Sequence, residues 1–289
     1  MKNYILFLYI FTLSIFASGN EPVKVFTIGL LPGGNPEATQ KQSFELAEKL
    51  QNKLGKPVKI YISKNYAGLV ESITSKKIDF AIFSSLTYII AEKETPLKVL
   101  LKKTWDGPFY YSALVVNRKS KIKTVNDLKN KNIVFVDLNS TSGYLYPQVF
   151  LKKNNILNKD FKSVQFSGNH SASIAALEES QADVAAVFAD DEKGRVGAWT
   201  RFSKAKPNAF RIIWVSEPIP NDPIVVRQEF YDENPKATLE IMYALIEIQN
   251  EASAGLTDIL GRGGLMPATS KQYDPVREMY HVFKNELKL

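Results

Sequence analysis

The 289-residue sequence contains no cysteine and only two histidines. Disulfide scaffolds and thiol chemistry are therefore excluded, and a transition-metal site is hard to assemble. Long runs of one charge are missing as well. Basic and acidic residues alternate along the chain, although the formal net charge is +7. No basic stretch is interleaved with stacking aromatics, so nucleic acid is not an expected partner. A mild positive potential instead suits the steering of a small anion. A Gly-x-Ser-x-Gly elbow, a Walker lysine motif and a His-Glu-x-x-His zinc motif are all absent. That leaves no recognisable nucleophile with its base, and no metal or other cofactor is expected. An enzyme is not the expected reading.

Apolar runs long enough to cross a bilayer are also lacking. Tyr4 to Phe16 carries no charge, but its thirteen residues fall short of the roughly 20 that a spanning helix needs. Lys2 precedes it and Ala17-Ser18-Gly19 follows, the order of an export signal. Residues 1–19 are expected to be a signal peptide cleaved near Gly19. With no cysteine after it to carry a lipid, the mature protein is expected free in a periplasm.

The whole chain is 45% apolar and 23% charged, as in ordinary globular proteins. Strand-like and helix-like patterns alternate throughout, which predicts an α/β fold. Val23–Leu31, Val58–Ile62 and Ile78–Phe83 read as strands. Between the first two, Phe44, Leu46, Ala47, Leu50 and Leu54 recur at helical spacing. A second unit follows the same plan, with strands at Asn132–Val136, Phe161–Phe166 and Ala182–Ala189 and helices at Tyr144–Lys152 and Ser171–Leu177. The units echo each other: Tyr66 precedes Asp79 by thirteen residues, and His170 precedes Asp183 by the same thirteen. Two related lobes are expected, with Tyr66 and His170 facing each other across a cleft at the carboxyl ends of the strands. Tyr110–Asn117 and Ile212–Val226 are the candidate crossing strands.

The densest chemical signal is Asn139-Ser140-Thr141-Ser142-Gly143, between a strand and a helix. Three hydroxyls, unpaired backbone N–H groups and a helix dipole suit a tetrahedral oxyanion. A single capping serine would also fit, but one cap does not need three successive hydroxyls. His170 follows another strand-to-helix turn, where an imidazole is either structural or a donor to the same anion. Asp190 and Asp222 follow apolar strands, as helix caps and turn formers do. If both face one cleft, a cation must relieve their repulsion, and a ligand ammonium would do so. Tyr66, with Tyr110 or Tyr111, could enclose that ammonium or simply pack in a core. Asp190-Asp191-Glu192 also reads as the start of a solvated helix.

These residues together resemble the phosphonate-binding components of ABC importers, within the type II periplasmic binding proteins. The resemblance is carried by Tyr66-Ala67-Gly68 with Lys77-Ile78-Asp79-Phe80-Ala81, by Asn139-Ser140-Thr141-Ser142-Gly143-Tyr144, by Gly168-Asn169-His170, and by Ile219-Pro220-Asn221-Asp222-Pro223-Ile224. It implies two lobes joined by two crossing strands, the first from residues 20–115 and 220–289 and the second from 116–219. It also implies that Ser140, Thr141, Ser142 and His170 hold phosphonate oxygens, that Asp190 and Asp222 hold an amino group, and that Tyr66 and Tyr110 line the pocket. Asp190 is one methylene shorter than the glutamate at that place in another member, and Phe83-Ser84-Ser85-Leu86 departs from the family's pattern. The implied partners are a small phosphonate, such as 2-aminoethylphosphonate, and ABC permease subunits, with the protein acting as a monomer by hinge closure. Phosphate, phosphite or an alkylphosphonate as ligand, or a membrane receptor as partner, would use the same pocket.

Overall fold

The computed structural model describes residues 25–31, 36–205, 207–251 and 255–287. The expected signal peptide, the cleavage point at Gly19 and the Pro32–Asn35 turn lie outside the described residues. Twelve strands and ten α-helices alternate through them: β1 Phe26–Leu30, α1 Pro36–Leu54, β2 Val58–Ile62, α2 Tyr66–Thr74, β3 Phe80–Ile82, α3 Ser85–Glu94, β4 Leu97–Thr104 and β5 Phe109–Asn117. Then come β6 Asn132–Phe135, α4 Tyr146–Lys153, β7 Ser163–Phe166, α5 His170–Glu178, β8 Val184–Ala189, α6 Ala198–Arg201, β9 Phe210–Val215, β10 Ile219–Pro220 and β11 Pro223–Arg227. The last elements are α7 Gln228–Glu233, α8 Pro235–Glu251, α9 Thr257–Leu260, β12 Gly264–Pro267 and α10 Asp274–Leu287.

The strands form two sheets, each the centre of a lobe. The first runs β12-β4-β11-β3-β1-β2, and the second runs β10-β5-β8-β6-β7, with β9 pairing β5 on the edge it shares with β10. The echo read in the sequence has a structural counterpart. In each lobe three parallel strands take the order second, first, third: β2-β1-β3 and β7-β6-β8. Asn65 caps α2 by accepting from the Gly68 N–H, and Asn169 caps α5 by accepting from the Ala172 N–H. Ser63 and Ser167 hold the preceding turns through the carbonyls of Asn65 and Asn169. Asp79 accepts from the Thr27 N–H as Asp183 accepts from the Asn132 N–H, so each carboxylate anchors the start of the neighbouring parallel strand.

Two differences from expectation are instructive. The whole of β5 pairs within the second sheet, with β8, β9 and β10. The crossing expected along Tyr110–Asn117 therefore falls at 105–108, and the return crossing falls at Asn221-Asp222. A continuous apolar strand reads the same in either sheet, so sequence could not place the switch. In α1, Leu46 and Leu50 are fully buried but Phe44 is 67% exposed. The inward stripe is Thr39, Ser43, Leu46 and Leu50, and Phe44 lies one residue off it.

The two crossings run side by side. The Asn221 N–H and Nδ2 donate to the carbonyls of Pro108 and Gly107, at 3.3 and 3.0 Å, and the Lys103 N–H donates to the Asp222 carbonyl at 3.0 Å. Among the described residues the chain passes between the two sheets only along this narrow ribbon, with Asn221 buried at its centre.

Candidate functional site

A cavity of about 180 Å³ lies against the crossings, where both sets of strand ends meet. It is smaller than the ~300–1,000 Å³ usual for drug-sized ligands, which favours a solute of a few heavy atoms. Ser140, Thr141, Ser142, His170, Tyr66, Tyr110, Asp190 and Asp222 all line it. Tyr111 does not. Neighbours on a strand point to opposite faces, and Tyr110 takes the inward one.

The hydroxyl turn has unusual local geometry. Residues Thr141–Leu145 form a single turn of π-helix leading into α4, with the Leu145 N–H donating to the Ser140 carbonyl at 3.1 Å. Such turns recur at functional sites because they displace side chains from the regular helical path. Ser140 Oγ caps it by accepting from the Gly143 N–H at 3.1 Å, while the N–H groups of Thr141 and Ser142 meet no acceptor among the described residues. Gly143 is required by close approach: a Cβ there would lie 2.5 Å from Val136 Cγ2. From β5, Ser112 Oγ donates to the Ser142 carbonyl at 2.6 Å and holds the turn in place.

Contacts across the gap involve this same turn. The Leu86 N–H, at the start of α3 in the first lobe, donates to Thr141 Oγ1 at 2.8 Å. Thr87 Oγ1 donates to the Asn139 carbonyl at 3.2 Å. The Tyr66 hydroxyl of the first lobe also approaches that of Ser140, while Tyr110, on β5, approaches Thr141 within the second lobe. The departing Phe83-Ser84-Ser85-Leu86 segment thus supplies a lobe-to-lobe contact, and Ser84 also lines the cavity.

Electrostatics make the head-group end a set of neutral donors. Burial, helped by the nearby Asp222 charge, raises the Tyr66 and Tyr110 hydroxyls well above the ordinary tyrosine range. Both remain protonated and able to donate. Burial, with a smaller push from Arg201, lowers His170 to about 3, so its ring is neutral at physiological pH. His170 Nδ1 is buried and has no partner, and the ring packs edge-on to Phe188.

The acidic end differs from expectation. Asp190 and Asp222 do face one cavity, but the chain supplies both balancing cations. Arg201 Nη2 donates to Asp190 Oδ1 at 2.6 Å, and Lys103 Nζ pairs with Asp222 Oδ2 at 2.8 Å. Asp190 is 6% exposed, and burial raises its carboxyl more than Arg201 lowers it. Nor do Asp190-Asp191-Glu192 start a helix. Asp191 instead ties a loop by accepting from the N–H groups of Lys193, Arg195 and Val196. Sequence reasoning missed Lys103 and Arg201. Their traces were slight: a lysine ending an apolar strand, and an arginine among Trp199 and Phe202.

Two α/β lobes enclosing a small donor-lined cavity, with no metal-binding cluster among the described residues, define a solute-binding protein of the type II fold. Residues 28–273 match the family described as ABC transporter, phosphonate, periplasmic substrate-binding protein, and the chain belongs to that family. It is 28% identical to the phosphonates-binding periplasmic protein of Escherichia coli, over 91% of this chain and 78% of that one. It is 25% identical to a probable ABC transporter phosphite-binding protein of Prochlorococcus marinus, over 92% and 93%. The structure of the P. marinus protein PhnD1 in complex with methylphosphonate superposes with a TM-score of 0.77 at 23% identity, covering 92% of this chain and 98% of that one. Members of this family are binding components rather than enzymes. No helix among the described residues is long and apolar enough to cross a membrane.

Proposed function

We propose that this protein captures a small phosphonate in the periplasm and presents it to an ABC permease, with Ser140, Thr141, Ser142, His170, Tyr66 and Tyr110 holding the phosphonate oxygens. One observation carries the reading: hydroxyl, imidazole and free N–H donors from both lobes converge on one small buried cavity. Charge-assisted hydrogen bonds to an oxyanion are about twice as strong as neutral ones, and exclusion of water preserves that strength. Because Tyr66 lies in the first lobe and Ser140–Ser142 in the second, a bound oxyanion would stabilise the closed form over the open one. The moving bodies would be residues 25–104 with 223–287, and residues 109–220, pivoting on the crossing ribbon. The names of relatives that bind phosphonates and phosphite support the same head group. An aminoalkylphosphonate such as 2-aminoethylphosphonate fits only if its ammonium displaces Lys103 or Arg201.

Calorimetry with methylphosphonate and methanesulfonate tests this. One-to-one binding of the phosphonate, weakened at least tenfold by Ser142→Ala, is expected, with much weaker binding of the sulfonate. Absence of phosphonate binding by the parent protein overturns the proposal.

A further inference from the structure

The two cavity carboxylates are each held by a cation that the fold keeps in place. Arg201 ends α6, a four-residue helix on the second lobe. Its guanidinium stacks 3.5 Å from the centroid of Trp105 and 4.8 Å from that of Phe188, while donating to Asp190. The preceding Gly197 makes a bridge with Ala189, at the end of β8. A Cβ at Gly197 would lie 2.6 Å from the Phe188 carbonyl oxygen, so glycine permits the close approach that sets Arg201 beside Asp190. Burial lowers the Arg201 guanidinium below the ordinary arginine range, but the Asp190 carboxylate beside it favours the charged form, and an arginine keeps its proton in proteins.

Lys103 is 8% exposed and bound twice to the same residue. Its ammonium meets the Asp222 carboxylate, and its backbone N–H donates to the Asp222 carbonyl. Each carboxylate therefore has its counter-charge before any ligand arrives. The remaining acid on the lining, Asp258, is solvent-exposed and accepts from Gln42 Nε2 at 3.2 Å.

An ammonium entering this site would sit beside two fixed cations with no free buried carboxylate to meet it. It would shed its water and gain no new counter-charge, which is costly in a buried site. An uncharged substituent meets no such penalty. Trp105, Phe188, Phe202 and Ile259 offer it an apolar wall.

We infer that this chain selects phosphonates without an amino group, and that the Lys103–Asp222 and Arg201–Asp190 pairs are its specificity determinants against cationic substituents. The inference rests on the phosphonate reading above and narrows its substrate class.

Ethylphosphonate and 2-aminoethylphosphonate differ only by the ammonium, so their affinity ratio isolates its effect. Calorimetry on the wild-type protein should show ethylphosphonate bound at least tenfold more tightly. Arg201→Met and Lys103→Met each release a carboxylate, and at least one should shift the ratio at least tenfold toward the amine. A wild-type ratio near one, or favouring the amine, overturns the inference, as does a ratio that both variants leave unchanged. If neither variant folds, the wild-type ratio still decides. Failure of the wild type to bind either compound is a separate result, which overturns the phosphonate reading itself.

Discussion

Replacing Thr141 by valine tests whether the hydroxyl turn is also the latch between lobes. The side chain is fully buried, and its oxygen accepts from the Leu86 N–H of the opposite lobe at 2.8 Å. Valine keeps the shape and removes the hydroxyl, which is both the acceptor of this bond and one of the groups proposed to hold the ligand, and it leaves the Leu86 N–H buried without a partner in the closed form. Such an orphan costs about 1–3 kcal/mol. Opening the cleft lets water reach the Leu86 N–H, so the cost falls on closure rather than on folding. Since about 1.4 kcal/mol is a factor of ten, closure and ligand affinity should weaken by roughly five- to 150-fold. Thr141→Ser retains the acceptor and serves as control, with affinity held within about threefold. Calorimetry with methylphosphonate gives the affinities, and small-angle scattering with and without ligand reports compaction. Unchanged affinity in Thr141→Val would refute the latch. So would a loss of ligand-free stability as large as the loss of binding, since the bond would then support one lobe rather than join two.

Two other predictions follow from the same geometry. His170 is lowered to about 3 in the folded protein from 6.5, so between those values the unfolded chain binds the extra proton. Stability present above pH 6.5 should then be lost as pH falls toward 3, by at most about 5 kcal/mol in total, and His170→Gln should flatten that slope in urea denaturation. A His170→Gln profile as steep as the parent's would show that other groups carry the dependence. Gly143→Ala forces a Cβ against Val136, and overpacking of this kind costs about 1–3 kcal/mol. Because the displaced atoms belong to the hydroxyl turn, thermal melts should show that loss and phosphonate binding should fall more than tenfold. Retained affinity would mean that the turn tolerates displacement.

Much of the site was legible because it is local. Ser140-Thr141-Ser142 lie together in sequence, and a strand-to-helix turn points their hydroxyls and N–H groups the same way wherever it sits. The echo between Tyr66…Asp79 and His170…Asp183 was legible as an equal offset of thirteen residues, and the structure adds that Tyr66 and His170 each follow an asparagine that caps their helix. The inward face of α1 was partly misread because a helical period tolerates two neighbouring phases, and only packing against β1 and β2 selects Leu46 and Leu50 over Phe44. Tyr110 was separated from Tyr111 by strand register, which is set by partners far along the chain.

The sequence by itself determined the class of the protein. Alternating strands and helices mark an α/β protein, and the four separated motifs that resemble phosphonate-binding components carry the rest, with the hydroxyl-rich turn in agreement. Only the tertiary structure decided what answers Asp190 and Asp222. Lys103 reaches Asp222 across paired β4 and β11, and Arg201 reaches Asp190 after α6 folds back on β8. An ion pair is set by distance in space, and a lysine or arginine looks the same in sequence whether it faces water or a buried acid.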